Sequence, residues 1–508
     1  MLRTSHLPGS APHAPDRRAG RGRRHPLVVT AALIARIRRT QPFSSCWQRR
    51  VRQLRDVLRP ARRDAEDMKL AWRVGGVAVL SGAALTCSLA ARATTTTLYV
   101  DRTMPTCSDS GQGTSTTPYC TIVKGVSKLA AGMTLDIGDG TYAETIKPAV
   151  SGTADAPITI TAWPGKHPVL NPAGFGANIS SRAYITLSGI AFNGTKYDSV
   201  YVSGSQNITI SGNTVTGAGQ PVRGLNAYGI SIRGSSASVV SGNDVNHNSG
   251  TGILLTSGST GNVVSGNSAS YNADGYQRNA NGINVISPGN TVIRNITHDN
   301  EDSGIQFYPG GNNNLATLNV TYDNGDHGID DYNVTGGSLI GNTVYRNCTT
   351  GINVEGTSGN YTVMNNLAAD NAVYPAYNGI ACSRRAGNIG IWDSAPASTT
   401  VDHNLVWLTK AGTMYAFGTT YKTLAAMQTA THQEAHGVQA DPAFVDPAAW
   451  DLRLSGTSPA IDRGNSGAGG EQPTDLNGNP RVDDPAVSNA FAEGPRLYDD
   501  LGAYEYQP

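Results

Sequence analysis

The stretch YDNGDHGIDDYN, residues 322–333, sets four aspartates and one histidine within twelve residues. The surrounding chain is dominated by Asn, Gly, Ser, Thr and aliphatics. Carboxylates and an imidazole at this density suit two chemistries: holding a hard cation through oxygen, and moving protons near neutral pH. A lone aspartate in a turn more often bonds its own backbone, so the cluster matters only if neighbouring units of chain add to it. Asp274, then Glu301 and Asp302, occupy the equivalent turns of the two preceding units, ahead of Asp326 and His327. Asp274, Asp302 and Asp326 are therefore the expected ligands of a Ca²⁺ ion. His327, Asp330, Asp331 and Arg346 are the candidate catalytic groups, and His327 has the pKa best suited to a base.

These residues can meet only if the chain stacks, and its periodicity says that it does. A Gly-Ile pair recurs with its isoleucine at 230, 253, 283, 305, 329, 352 and 380, at spacings of 22 to 30 residues. Between these pairs lies a second unit whose asparagines are Asn213, Asn243, Asn267, Asn295, Asn319, Asn342 and Asn366. Six of them are followed five residues later by another: Asn248, Asn272, Asn300, Asn324, Asn347 and Asn371. Such units are too short for helix pairs and rich in β-branched residues alternating with polar ones. They predict an all-β parallel β-helix, with aliphatics turned into a narrow core and asparagines stacked at equivalent turns.

In the strand that starts at each Gly-Ile, the isoleucine points inward and alternate residues point outward. The outward columns are Ser231, Leu254, Asn284, Gln306, Asp330, Asn353, and Arg233, Thr256, Ile286, Tyr308, Tyr332, Glu355. Asp331 falls in an inward column, where a carboxylate costs several kcal/mol unless it is paired. Insertions after Asn272 (ADGYQRNAN) and Asn371 (AVYPAYN) border this sheet. Arg278, Gln306, Tyr308, Tyr332, Asn353 and Glu355 are the expected substrate-binding groups, because sugar rings stack on aromatics and sugar hydroxyls need paired donors and acceptors.

The motif style resembles the right-handed parallel β-helix (pectate-lyase-like) superfamily. Residues 272–306, NADGYQ…HDNEDSGIQ, are similar to the calcium-binding segment of polysaccharide lyase family nine, NADGF…N-x-DDGWD. Asp274 and Asp302 match two of that family's calcium aspartates; Ser303 and Gln306 replace the other two. The family's catalytic lysine should lie near residues 342–346, but no lysine occurs between Lys196 and Lys410. The resemblance implies a calcium-dependent enzyme that cleaves an acidic glycan by β-elimination. A glycoside hydrolase on the same fold, with Asp302, Asp326, Asp330 or Asp331 as its acid/base pair, is the alternative. A non-catalytic glycan-binding or cell-surface protein is a third reading.

Composition divides the chain. Residues 1–67 carry sixteen arginines against five acids, and 68–93 read as a secretory signal peptide: a short basic start, an apolar run and an Ala-Arg-Ala end. Met68 is then the expected true start, with 1–67 a misassigned or disordered basic segment. The remaining residues 94–508 hold 20 Lys+Arg and 33 Asp+Glu, near −13, which excludes nucleic-acid binding by a general field. A secreted monomer with no stable membrane anchor is expected, its partner a polysaccharide containing uronic acid. Residues 94–150 form the expected N-terminal cap and first turns, with a helix over 121–131. Residues 151–403 form the β-helix and 404–508 a C-terminal capping region, with a helix over 420–436. Export favours a Cys107–Cys120 disulfide; Cys348 and Cys382 are left either as a second bridge or as two free thiols.

Overall fold

The structure, a computed structural model, describes residues 96–508 except 221–225, 274–279, 378 and 490. The expected leader, the segment before it, and two site candidates, Asp274 and Arg278, lie outside the described residues. The chain winds into coils of three strands, and equivalent strands stack into three long sheets of twelve, twelve and eleven strands, parallel throughout except for the antiparallel edge strand Thr419–Tyr421 of the third. The first sheet runs from Thr97–Val100 to Thr400–Asp402, and the second from Gly140–Tyr142 to Val438–Gln439. The third contains the Gly-Ile strands, including Ile283–Val285, Ile305–Phe307, Ile329–Tyr332 and Ile352–Glu355.

Register explains why glycine precedes six of the seven isoleucines; the seventh expected pair departs, because Ile380 lies in an antiparallel two-stranded ribbon and Ile389–Ile391 continues the third sheet in its place. A Cβ on Gly282 would lie 2.7 Å from the Gly304 carbonyl oxygen, and one on Gly304 would lie 2.8 Å from that of Gly328. Coils close enough to pair therefore leave no room for a side chain at that corner. The isoleucines that follow are fully buried in one continuous core with Val202, Leu255, Val285, Phe307 and Val354. The expected inward and outward columns are both observed: Leu254, Asn284, Gln306, Asp330 and Asn353 pair in succession.

The asparagines form two buried ladders. From Asn213 to Asn404, each side-chain Nδ2–H donates to the Oδ1 of the next asparagine over 2.9–3.0 Å. A second ladder runs from Asn248 to Asn388 over 2.9–3.1 Å. Each rung also donates to a backbone carbonyl and accepts a backbone N–H, as Asn319 does with Val292 and Asn295, so the turns bury no orphaned amide. The first ladder ends on a carboxylate. Asn404 donates to Glu434 through Nδ2 (2.7 Å) and its backbone N–H (3.2 Å), and the Tyr415 hydroxyl donates to Glu434 Oε1 at 2.6 Å. Burial raises the Glu434 carboxyl to about 7 despite these donors.

The helices are shorter than expected, at Ile122–Val126 and Leu424–Thr431. No helix among the described residues is long and apolar enough to cross a membrane. The tail does more than follow the last coil. Leu452, Leu454, Ile461, Leu501 and Ala503 form a second core with Val320, Tyr345, Leu367 and Leu405, apolar residues on the outer side of the second sheet. Cys107–Cys120 and Cys348–Cys382 are both disulfides.

Candidate functional site

Three consecutive coils build one rim beside the third sheet. Asp326 follows Asp302 in the stack, its N–H donating to the Asp302 carbonyl at 3.2 Å. Both side chains are largely buried. Asp326 Oδ1 accepts from the Thr349 hydroxyl at 2.6 Å, and Oδ2 is in direct contact with the Arg384 guanidinium. Asp330 stands in the adjoining outward column. It accepts from Asn353 Nδ2 at 2.8 Å and from Gln306 Nε2 at 3.3 Å. Gln306 in turn accepts from Asn281 and Asn284 at 3.1 and 3.0 Å. This amide chain orients the Asp330 carboxylate without placing a full positive charge against it.

His327 sits between the two acids but is itself fully enclosed. Its Nδ1 lies 2.8 Å from the Thr349 hydroxyl, 3.1 Å from the Thr350 backbone N–H and 3.3 Å from the Thr350 carbonyl. Its Nε2 lies 3.7 Å from Asp326 Oδ1 and 3.9 Å from Asp330 Oδ1. Both nitrogens thus face protein groups, and the ring packs against both carboxylates.

Two further expected catalytic residues lie away from the rim. Asp331 points into the core, paired in register with Phe307 and Val354. The Tyr361 hydroxyl donates to its Oδ1 at 2.7 Å, while Oδ2 has no partner among the described residues. Burial lifts this carboxyl well above the usual range. Arg346 lies by the second sheet, 3.5 Å from Asp323 and over the rings of Tyr374, Trp450 and Tyr345. Burial raises Asp323 to about 6, although Arg346 opposes the shift.

The sequence reading missed Arg384 and Arg385, which arrive beyond AVYPAYN, on the longer insertion that runs from Asn371 to Asn388. The Cys348–Cys382 disulfide fastens that insertion to the coil carrying Thr349 and Thr350, and Thr350 donates to the Arg385 carbonyl. Closing a loop of this length contributes about 3–4 kcal/mol. Arg384 is half exposed above Asp326 and lies 3.5 Å from His327 Nε2. Arg385 pairs with Glu355 and Asp393, each at 2.9 Å, and lies over the Trp392 ring. Tyr308 and Tyr332 stand side by side, ring centres 5.4 Å apart, and Tyr332 is exposed. Burial and the surrounding carboxylates raise the Tyr308 hydroxyl, so it stays protonated. As a calcium site the described residues fit only in part: Asp302 lies on the rim, and both Asp326 oxygens are engaged by Thr349 and Arg384.

A parallel β-solenoid with a polar, carboxylate-lined rim places the chain among the β-helix proteins. Residues 99–388 match the model of the Pel9A-like, right-handed β-helix region, and the chain belongs to that family. Pectate lyase Pel9A has a similar structure, with a TM-score of 0.50 at 15% identity, covering 82% of this chain and 98% of that one. A rhamnogalacturonan lyase aligns with a TM-score of 0.44 at 16% identity over 69% of this chain and 90% of its own. At these identities the likeness shows the fold alone. The uncharacterized protein YwoF of Bacillus subtilis (strain 168) is 30% identical over 142 residues, 28% of this chain and 26% of that protein.

Proposed function

We propose that this chain is a secreted polysaccharide-processing enzyme that cleaves a uronic-acid-containing glycan by β-elimination along the third sheet. The observation that carries this reading is the rim itself: Asp302, Asp326 and Asp330 converge from successive coils, and a tethered loop sets Arg384 against them. Tyr308 and Tyr332 offer ring faces for sugars, while the buried Gln306 and Asn353 amides hold Asp330 in place beside them. β-Elimination asks the protein for a cation at the uronate carboxylate and a base at C5. Arg384, long and half exposed, exchanges Asp326 for the substrate carboxylate and uncovers Asp330. Asp330 takes the C5 proton, the electron pair forms the C4–C5 double bond, and the C4–O bond breaks with the oxygen protonated by solvent. Calcium is the second part of the proposal: Asp302 together with Asp274 would hold the ion, which would share the charge on the uronate.

One observation favours hydrolysis as the second reading. Asp326 and Asp330 bring two carboxyl groups to one rim, 3.7 and 3.9 Å from the His327 Nε2, and glycoside hydrolysis uses a pair of carboxyl groups. A panel of uronans incubated with the full chain separates the two. New ultraviolet absorbance from unsaturated ends, diminished by EDTA, is the expected result. New reducing ends without that absorbance establish hydrolysis, and binding without either leaves a passive glycan-binding protein. Arg384→Ala is expected to lower kcat/KM about 10- to 100-fold, mainly through KM, as losing a charged contact of about 1.5–3 kcal/mol demands.

A further inference from the structure

A cavity of about 440 Å³ opens further along the same rim, beyond the tethered loop. Its lining includes Val373, Ala386, Leu408, Lys410, Thr413 and Lys422, and no carboxylate stands among the described residues that line it. The corner that carries Asp326 repeats coil by coil: the Thr349 N–H donates to the Asp326 carbonyl at 3.0 Å, and the Ala372 N–H to that of Asn347 at 2.9 Å. The strands that follow these corners pair in order, Ile329–Tyr332 with Ile352–Glu355, then Ile389–Ile391, then Tyr415–Phe417. Ala386 therefore belongs to the second corner after Asp326, and Lys410 and Thr413 to the third. At a strand spacing of about 4.8 Å these corners lie roughly 10 and 14 Å along the solenoid from Asp326.

Charge sets this cavity apart. Residues 94–508 are near −13, and lysine is missing between Lys196 and Lys410, across every coil that carries the acids of the rim. Lys410 is the first to return, and Lys422 follows the edge strand Thr419–Tyr421 that closes the third sheet. Both are exposed at the cavity, and neither forms an ion pair among the described residues. Arg384 and Arg385, by contrast, are paired with Asp326, Glu355 and Asp393. Asp370, just ahead of the cavity's first wall, accepts from the Thr409 N–H and hydroxyl at 2.7 and 2.9 Å and does not line the cavity. Two like charges facing one space repel each other, and an anion between them removes the repulsion.

We infer, on the reading of the rim as the place where a uronan is cleaved, that Lys410 and Lys422 hold a second uronate carboxylate of the same glycan, roughly 10–14 Å along the solenoid from the rim. The volume falls within the range of small-molecule sites, about 300–1,000 Å³, and admits a sugar unit as well as its charge. Apolar Val373, Ala386 and Leu408 suit the C–H faces of a ring, and the Thr413 and Thr420 hydroxyls suit its oxygens. The insertion from Asn371 to Asn388 joins the two places, since Arg384 touches Asp326 and Ala386 lines the cavity. One glycan laid along the third sheet thus meets Arg384 at the cleaved unit and the lysine pair further on. This subsite selects uronans that are both extended and unesterified, and it raises affinity without touching the reacting atoms.

The test measures binding by calorimetry in the full chain carrying Asp330→Asn, so that cleavage does not consume the ligand. The probes are polygalacturonate, alginate and a glucuronan, each beside its methyl ester. Adding Lys410→Ala with Lys422→Ala is expected to weaken uronan binding about 10-fold, the combined effect of two exposed charge contacts, and to flatten its dependence on salt. Both lysines are exposed, so the circular dichroism should stay unchanged. Lys410→Arg with Lys422→Arg should keep the affinity, and the esters should bind equally with and without the alanine pair. With Asp330 restored, the alanine pair should raise KM about 10-fold and leave kcat within a few-fold. Uronan affinity that the alanine pair leaves unchanged overturns the inference, as does an equal loss on the esters, or no binding of any of the three uronans. Failure of the subsite and failure of the lyase are distinguishable. Unsaturated ends produced by the alanine pair at an unchanged KM remove the subsite alone, whereas a charge-dependent loss of binding in a chain that yields no such ends removes the lyase alone.

Discussion

Replacing Asp330 by asparagine is expected to lower turnover on a uronan by about 10²- to 10⁴-fold, the usual worth of a positioned proton acceptor. KM should stay within a few-fold. The amide keeps the shape of the carboxylate and can still accept from Asn353, and Arg384, Tyr308 and Tyr332 remain in place to bind sugar. The informative control is the neighbouring residue. Asp331 is turned into the core, with its carboxyl raised by burial, so Asp331→Asn exchanges one enclosed acceptor of the Tyr361 hydroxyl for another. It should leave turnover within a few-fold of the parent, at a cost in stability of about 1–3 kcal/mol. Steady-state kinetics on the two variants decide the matter. An Asp330→Asn enzyme that retains more than a tenth of parental turnover removes Asp330 as the base.

The second large effect concerns folding. Glu434→Ala is expected to destabilise the protein by about 2–5 kcal/mol, because it leaves the Asn404 N–H and the Tyr415 hydroxyl buried without acceptors. Urea denaturation monitored by circular dichroism reads this directly. The same carboxyl also imposes a pH dependence. Its pKa is about 7 in the folded chain against an ordinary 4.5, so the folded state holds the proton more tightly than the unfolded one. The stability this adds is complete below about pH 4.5 and is lost as pH rises through about 7, at most about 3 kcal/mol in all. Glu505 shifts in the same direction, also to about 7. The measurement is therefore the difference between parent and Glu434→Gln, in which the Glu434 share of the slope disappears. An unchanged slope would show that Glu434 is ionised throughout.

The architecture was open to reading because it is a local rule repeated. Each Gly-Ile and each ladder asparagine reports contact with its copy one coil away, so spacing alone carries the third dimension. The ladders still ran further than the sequence suggested. Asn388 and Asn404 continue them across insertions that break the regular spacing. Site chemistry was less accessible because its decisive contacts cross coils without repeating. The partner of Asp331 is thirty residues away at Tyr361, and the cation above Asp326 comes from a loop fifty-eight residues on. Cysteine spacing could not reveal that Cys382 brings this loop back to Cys348. His327 shows a different gap, since its residue type promises a base and only its neighbours show both nitrogens facing protein groups.

The long asparagine row has a sense of direction. Every amide gives its hydrogen toward the carboxyl end, so the aligned dipoles accumulate in one orientation, and the final donor meets the carboxyl group of Glu434. A coil in the middle sees the same neighbours on either flank, and excising one whole would rejoin like with like. The terminus has no such freedom. Length in this molecule is a variable that duplication and loss can adjust, while the acid that closes the row must travel with whichever coil is last.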